Sequence, residues 1–323
     1  MTRPERLYLQ DVAVRDGFQI EPVFIPTERK IDLIDRLSRT GLAKIEVTSF
    51  TSPRAIPALA DAEQVMQGIT RQPGVEYTAL VPNLRGAERA LACRADELNL
   101  VMSVSETHNL TNLRMTRGQS ARQLAEVIRF AEGSGVAINV SLSCSFGCPM
   151  EGAVEAADVL DWSARFLDQG VRGITLCDTT GMAWPSQVAD LVDGWRRRWS
   201  EAQLTLHFHN TRGMGLANVL IAVQHGVDRF DASLGGLGGC PYAPGATGNI
   251  STEDTVHMLE LMGYDTGVDL PALLACAHLL PAIVGHDIPG QVAKAGRSFD
   301  LHPVPADLGE IAARALAREA SAG

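Results

Sequence analysis

Apolar and polar positions follow two rhythms that take turns along this chain. Short β-branched runs have a period near two, and longer runs place apolar residues three and four apart. "LYLQDVAV" (7–14) reads as a strand. "TERKIDLIDRLSRTG" (27–41) reads as a helix, with apolar residues at 31, 33, 34 and 37, Thr27 as N-cap and Gly41 as its stop. The pair then repeats. Strands are expected at 44–50, 76–80, 97–104, 137–143, 173–178, 203–209 and 229–234. Helices are expected around 61–69, 84–93, 120–135, 155–169, 185–198, 214–225 and 252–262. Strict alternation implies a parallel sheet with crossover helices. Eight such units in about 260 residues predict an α/β fold of the closed TIM type, a (β/α)8 barrel. An open doubly wound sheet would want G-x-G-x-x-G after its first strand, and here that turn is "RDGFQIEPVFIP". Residues 269–284 read as one more helix, and 299–323 as a Pro-containing stretch ending in a loose helix. The expected organisation is a barrel over 1–265 and a C-terminal helical extension and tail over 266–323, with no linker between them.

Composition narrows the function classes. The 323 residues are 46% hydrophobic and 20% charged, which suits a folded chain with a sizeable core. A net charge of −10 argues against nucleic-acid binding. The tight basic cluster "WRRRW" (195–199) falls at an expected helix end, where cations suit the dipole. No stretch of about 18 residues is apolar enough to span a membrane. "MTRPERLYLQ" lacks the apolar run of a signal peptide, so the expected location is cytoplasmic. The six cysteines are dispersed and are expected to be reduced. "CSFGC" (144–148) has C-x-x-x-C spacing and reads as a buried turn.

In a barrel, chemistry sits at the carboxyl ends of the strands. Strand one runs into Arg15-Asp16-Gly17, with Gln19 and Glu21 beyond. Strand two carries Glu46 and ends near Ser49, and strand six ends in Asp178. Strand seven ends in His207 and His209, which share one face because they are two residues apart. After strand eight comes "GGLGGCPYAPGATGN" (235–249), six glycines in fifteen residues around Cys240. Barrel closure makes strands seven, eight and one neighbours. Two imidazoles and the Asp16 carboxylate form a common set for a divalent metal such as Zn, Mn, Fe or Mg. An acid/base pair, or two polar residues in a wet cavity, are the other readings. The glycine-rich loop has no Walker pattern, so it is either a connector or a lid that closes over substrate.

These motifs carry a resemblance. "RDGFQIE" (15–21), "KIEVTSFTSPRAIPALAD" (44–61), "CSFGCPMEG" (144–152), "CDTTGMAWP" (177–185), "HFHNTRGMGLAN" (207–218) and "GLGGCPYAPGATGNISTED" (236–254) occur in this order. Over about residues 7 to 298 the chain resembles the 3-hydroxy-3-methylglutaryl-CoA lyase family of metal-dependent barrel lyases. The resemblance implies Asp16, His207, His209 and Asn249 as ligands of Mg or Mn, with His207 also serving the chemistry. It implies Arg15 as the enolate stabiliser and Cys240 on a lid near the reacting carbon. Glu46, Asp178 and Glu253 would order the site or move protons. Gln19, Ser49 and Ser141 would face the substrate, an acyl-CoA, and the assembly would be a homodimer.

The chemistry suits those residue types. Cleaving a 3-hydroxyacyl-CoA between C2 and C3 needs a base for the C3 hydroxyl and a Lewis acid for its oxygen. It also needs a cation for the thioester enolate, an acid to protonate that enolate, and exclusion of water. Three positions depart from the family pattern. Asn210 replaces an aspartate after H-x-H, Ser141 stands where tyrosine is common, and "SETHNLTNLRMT" (105–116) differs. A lyase for a relative such as (R)-citramalyl-CoA, giving acetyl-CoA and pyruvate, therefore stays open. So does a catalytically silent acyl-CoA-binding barrel.

Overall fold

The computed structural model describes residues 6–239 and 248–322. Eight parallel strands close a barrel in chain order: β1 (Tyr8–Asp11), β2 (Lys44–Ser49), β3 (Glu76–Leu80), β4 (Glu97–Ser103), β5 (Ala137–Ser143), β6 (Gly173–Asp178), β7 (Gln203–Phe208) and β8 (Arg229–Ala232). β1 pairs with both β2 and β8, which seals the ring. The helices begin with α1 (Thr27–Leu37), α2 (Ala62–Gly68), α3 (Leu84–Ala92), α4 (Glu106–Leu113) and α5 (Arg117–Ala131). They continue with α6 (Ala156–Leu167), α7 (Pro185–Arg198), α8 (Gly215–Gln224), α9 (Thr252–Leu261), α10 (Leu270–Ala277), α11 (Leu280–Val284), α12 (Val292–Ala295) and α13 (Leu308–Ala322).

The strands alternate as the pattern requires, with the apolar face outward. Ile45, Val47, Leu98, Leu100, Val140, Leu142, Leu204 and Leu206 are buried in the layer shared with the helices. The inward positions are polar, and they bond across the barrel. Gln10 Nε2 donates to Thr205 Oγ1 at 3.3 Å, and Asn139 Nδ2 donates to Asn99 Oδ1 at 3.1 Å. At the amino end of the barrel, Lys44 pairs with Glu97 at 2.5 Å, and Arg172 pairs with Glu76 and Glu97. α10 continues the core, since Leu270, Leu273 and Leu274 belong to the same buried cluster as the barrel helices.

Several expectations need correction. β1 stops at Asp11 rather than reaching 14, and Ala13–Gly17 form one π-helical turn. The Asp11 carboxylate accepts the Ala13 N–H at 2.9 Å, and Asp16 N–H bonds to Val12 O at 2.7 Å, so the ladder is interrupted there. Pro26, not Thr27, sits at the N-cap of α1, and the Thr27 hydroxyl donates to Asp61 at 2.8 Å. α4 was not anticipated; its N-cap Ser105 accepts the His108 N–H at 3.0 Å. α5 starts at 117, earlier than expected, because Thr116 and Gln119 form a capping box. The single helix expected over 269–284 is broken into α10 and α11, where Pro281 enters at the first turn. "CSFGC" is a buried turn as expected, and Arg196 to Arg198 close α7. No described helix is long and apolar enough to cross a membrane.

Candidate active site and metal centre

β7 places the first imidazole. Its period-two pattern sends Thr205 and His207 inward while Leu204 and Leu206 pack outward. His209 follows one residue beyond the strand. The chain after β8 returns to this point: Ile250 N–H bonds to Phe208 O at 3.1 Å, and Asn210 N–H bonds to Gly248 O at 3.0 Å. That bridge sets Asn249 against His209. From the other side the π-helical turn lifts Asp16 over the barrel mouth. Asp16, His207 and His209 each offer a ligand atom, all within 4.8 Å of one another, and all three residues are buried.

The donor set fits a cation. The two Nε2 atoms face each other at 3.2 Å. Asn249 Nδ2 donates to Asp16 Oδ2 at 2.7 Å and to Leu237 O at 2.9 Å. That orients its carbonyl Oδ1, which is buried without a partner among the described residues. The backbone at Gly238 comes close to both side chains. Gly238 has φ +105°, and a Cβ there would stand 2.6 Å from Asn249 Nδ2 and 3.0 Å from Asp16 Oδ2. Only glycine allows that approach.

Burial alone would raise the Asp16 carboxyl, but Arg15 and both imidazoles hold it below its ordinary value. Burial, reinforced by His207, pushes His209 down to about 3, so it stays neutral and ligand-ready. His207 is raised: burial opposes protonation, yet Asp231 and Asp16 outweigh it. Arg15 remains a cation, because Glu46 and Asp16 offset the burial that works against its charge.

Arg15 Nη1 donates to Asp16 Oδ1 at 2.7 Å, and its Nε donates to Glu46. Glu46 also accepts from Asn99 Nδ2 at 2.8 Å, and Asn99 Oδ1 accepts from Ser141 Oγ at 2.8 Å. Gln19 Nε2 donates to Asp16 Oδ1 at 3.1 Å. A cavity of about 570 Å³ opens over these groups, large enough for the acyl end of a cofactor-sized ligand. Arg15, Asp16, Gln19, Ser141, His207 and His209 line it, together with the segment Asn112 to Met115.

Other expected residues stand back from the cavity. Ser49 gives its hydroxyl to Thr51 at 2.8 Å, and Thr51 and Ser52 line the wall in its place. Asp178 accepts the Met182 and Ala183 N–H groups at 2.7 and 3.1 Å, and burial lifts it to about 6. Glu253 lies in the first turn of α9 and accepts the Gly235 N–H at 3.0 Å, so it anchors the start of the glycine-rich loop. Cys240 lies outside the described residues.

Two features of the site were not expected from the sequence. Asn99 alternates with Glu97 on the inner face of β4, a cue readable in "ELNLVMSV". Asp231, an acid inside β8, lines the cavity and meets His207. The Asn112–Met115 wall falls within "SETHNLTNLRMT", the segment that departs from the family pattern, and the structure places it at the cavity.

Burial pushes Glu253 from its ordinary 4.5 to about 7. The folded value lies above the unfolded one, so folding favours the protonated acid. That contribution is complete below about pH 4.5 and is lost as pH rises through 7. Glu253→Gln should therefore gain about 3 kcal/mol on the wild type between pH 4.5 and 8. Urea unfolding across that range measures it, and parallel pH profiles for the two proteins would contradict it.

The HMGL-like family model matches residues 6–280. Hydroxymethylglutaryl-CoA lyase YngG of Bacillus subtilis is 45% identical over 291 residues, 90% of this chain and 97% of the relative. The mitochondrial hydroxymethylglutaryl-CoA lyase of Gallus gallus is 42% identical over 271 residues, 84% of this chain and 91% of its own. A solved HMG-CoA lyase from Acinetobacter baumannii, in complex with coenzyme A and 3-methylmalate, superimposes with a TM-score of 0.90 at 52% identity. That match covers 93% of this chain and 98% of the other. With a family model matched over most of the chain, relatives this similar over nearly their whole length and the same barrel, the chain belongs to the HMGL-like family.

Proposed function

We infer that this protein is a carbon–carbon lyase that cleaves 3-hydroxy-3-methylglutaryl-CoA between C2 and C3, giving acetyl-CoA and acetoacetate. One observation carries the reading: Asp16, His207 and His209 converge beside a buried Arg15 at the floor of one cavity. A divalent cation, Mg or Mn, held by Asp16, His207, His209 and the Asn249 carbonyl, would supply Lewis acidity to the C3 oxygen and its neighbouring carboxylate.

This chain's own groups do the rest. Asp16, kept ionised, and the neutral imidazole of His209 keep the cluster able to receive a positive centre. The C3 hydroxyl proton leaves to a basic group lining the cavity. As the C2–C3 bond breaks, the electron pair moves onto the thioester carbonyl. Arg15, permanently charged and tethered by Glu46 and Asp16, faces the oxygen that becomes negative. An acid then protonates C2, a role that the family resemblance suggests for Cys240. Asn99 and Ser141 brace the wall on the acyl side. Asp178 and Glu253 order the turn after β6 and the loop after β8.

The citramalyl-CoA alternative is not favoured, since the relatives matched over most of the chain are named for the methylglutaryl substrate. Cleavage assays on a panel of 3-hydroxyacyl-CoAs with Mg or Mn, scored by product, test the reading. Acetoacetate from the methylglutaryl thioester is the expected result. Faster release of pyruvate from citramalyl-CoA would overturn the substrate. No cleavage of any member by metal-loaded protein would leave the silent barrel.

A further inference from the structure

Asp231 is an acid in the middle of a strand, and none of the roles above uses it. It sits in β8 in direct register with His207 of β7. Register partners in adjacent parallel strands point to the same face, here the barrel interior. Asp231 Oδ2 lies 3.3 Å from His207 Nδ1. Its side chain is 12% exposed, into the cavity that also holds Asp16 and Arg15.

The imidazole pair is asymmetric in its support. His209 Nδ1 has no partner among the described residues. His207 Nδ1 has the Asp231 carboxylate. A neutral imidazole carries one proton, and a carboxylate at one nitrogen draws the proton there. The lone pair is then left on Nε2, the atom that faces His209 Nε2 at 3.2 Å. The opposite tautomer would aim an N–H into the space where the ligand atoms converge. It would also set two acceptors, Nδ1 and the carboxylate, against each other.

We propose that Asp231 is the positioning residue of the metal centre. It accepts the Nδ1 proton of His207, orients the ring and commits Nε2 to the cation. The inference rests on the reading of Asp16, His207 and His209 as a divalent-metal site. Carboxylate–histidine–metal arrangements of this kind typically account for 10–100-fold in metal affinity.

The test titrates metal-stripped full-length protein with Mn2+ at one pH, followed by electron paramagnetic resonance. Asp231→Leu should weaken Mn2+ binding by about 10–100-fold. Asp231→Asn, whose amide oxygen can still accept the Nδ1 proton, should retain more affinity than the leucine variant. Binding by Asp231→Leu within twofold of the wild type would overturn the proposal. Nitrogen-15 spectra of histidine-labelled wild type give a second readout that needs no variant at position 231. The His207 ring, assigned by its loss in His207→Gln, should carry its proton on Nδ1, and a proton on Nε2 would overturn the proposal. His209→Ala separates the two claims. If it loses Mn2+ while Asp231→Leu does not, the metal site stands and the role of Asp231 falls. If the wild type itself binds no Mn2+, both fall.

Discussion

Arg15→Met is expected to lower turnover by roughly two to four orders of magnitude, the scale of removing an oxyanion-type partner. The Michaelis constant should change far less, because the charge matters most when the enolate forms. Two bonds hold the guanidinium still, Nε to Glu46 and Nη1 to Asp16, and neither uses Nη2. Arg15 lines the cavity, and these two bonds spare its charge from having to reorganise during reaction. Arg15→Lys keeps the charge but not the planar fork, so it should recover only part of the rate. The methionine variant also leaves Glu46 buried without its cation, a loss of about 3–5 kcal/mol in stability. Circular dichroism must therefore accompany the kinetics. A large rise in the Michaelis constant at normal turnover would show instead that Arg15 binds the ground state.

His209→Ala is expected to weaken divalent-metal binding by at least an order of magnitude, since losing a ligand exceeds the 10–100-fold typical of its supporting partners only by degree. His209 is buried and neutral, and its Nε2 shares one small volume with His207 and Asp16. The backbone bridge from His209 to Asn249 does not depend on the side chain, so the barrel should stay closed. Activity should vanish on chelation in the wild type and return with Mg or Mn. Elemental analysis of the purified variant measures the outcome, and unchanged metal content would remove His209 from the ligand set.

Much of this is legible in the sequence. The change of period from two to 3.6 marks each strand–helix unit, and eight repeats of it are enough for a closed ring. His207 and His209 share a face by spacing alone. The motif around Asp16 placed it near strand one, but its true position, in a π-helical turn, depends on the Asp11 carboxylate capturing the Ala13 N–H. A local pattern cannot show that capture, because the strand propensity of "LYLQDVAV" continues past it. Pro281 was a visible break in the helix expected over 269–284, and the apolar rhythm on either side concealed it.

By itself the sequence determined the alternation, the inward H-x-H pair and the glycine-rich return after strand eight, because each follows from spacing within a few residues. Only the tertiary structure decided which groups meet. Closure of β8 onto β1 brings Asp16 to residues 191 and more positions away, and the β7–β8 register sets Asp231 beside His207. The same closure turns the polar strand faces inward, so that Asn99 reaches Glu46 two strands away. The physical reason is that periodicity specifies which face a side chain occupies. Strand order and register, set by the packing of the whole ring, specify what it faces.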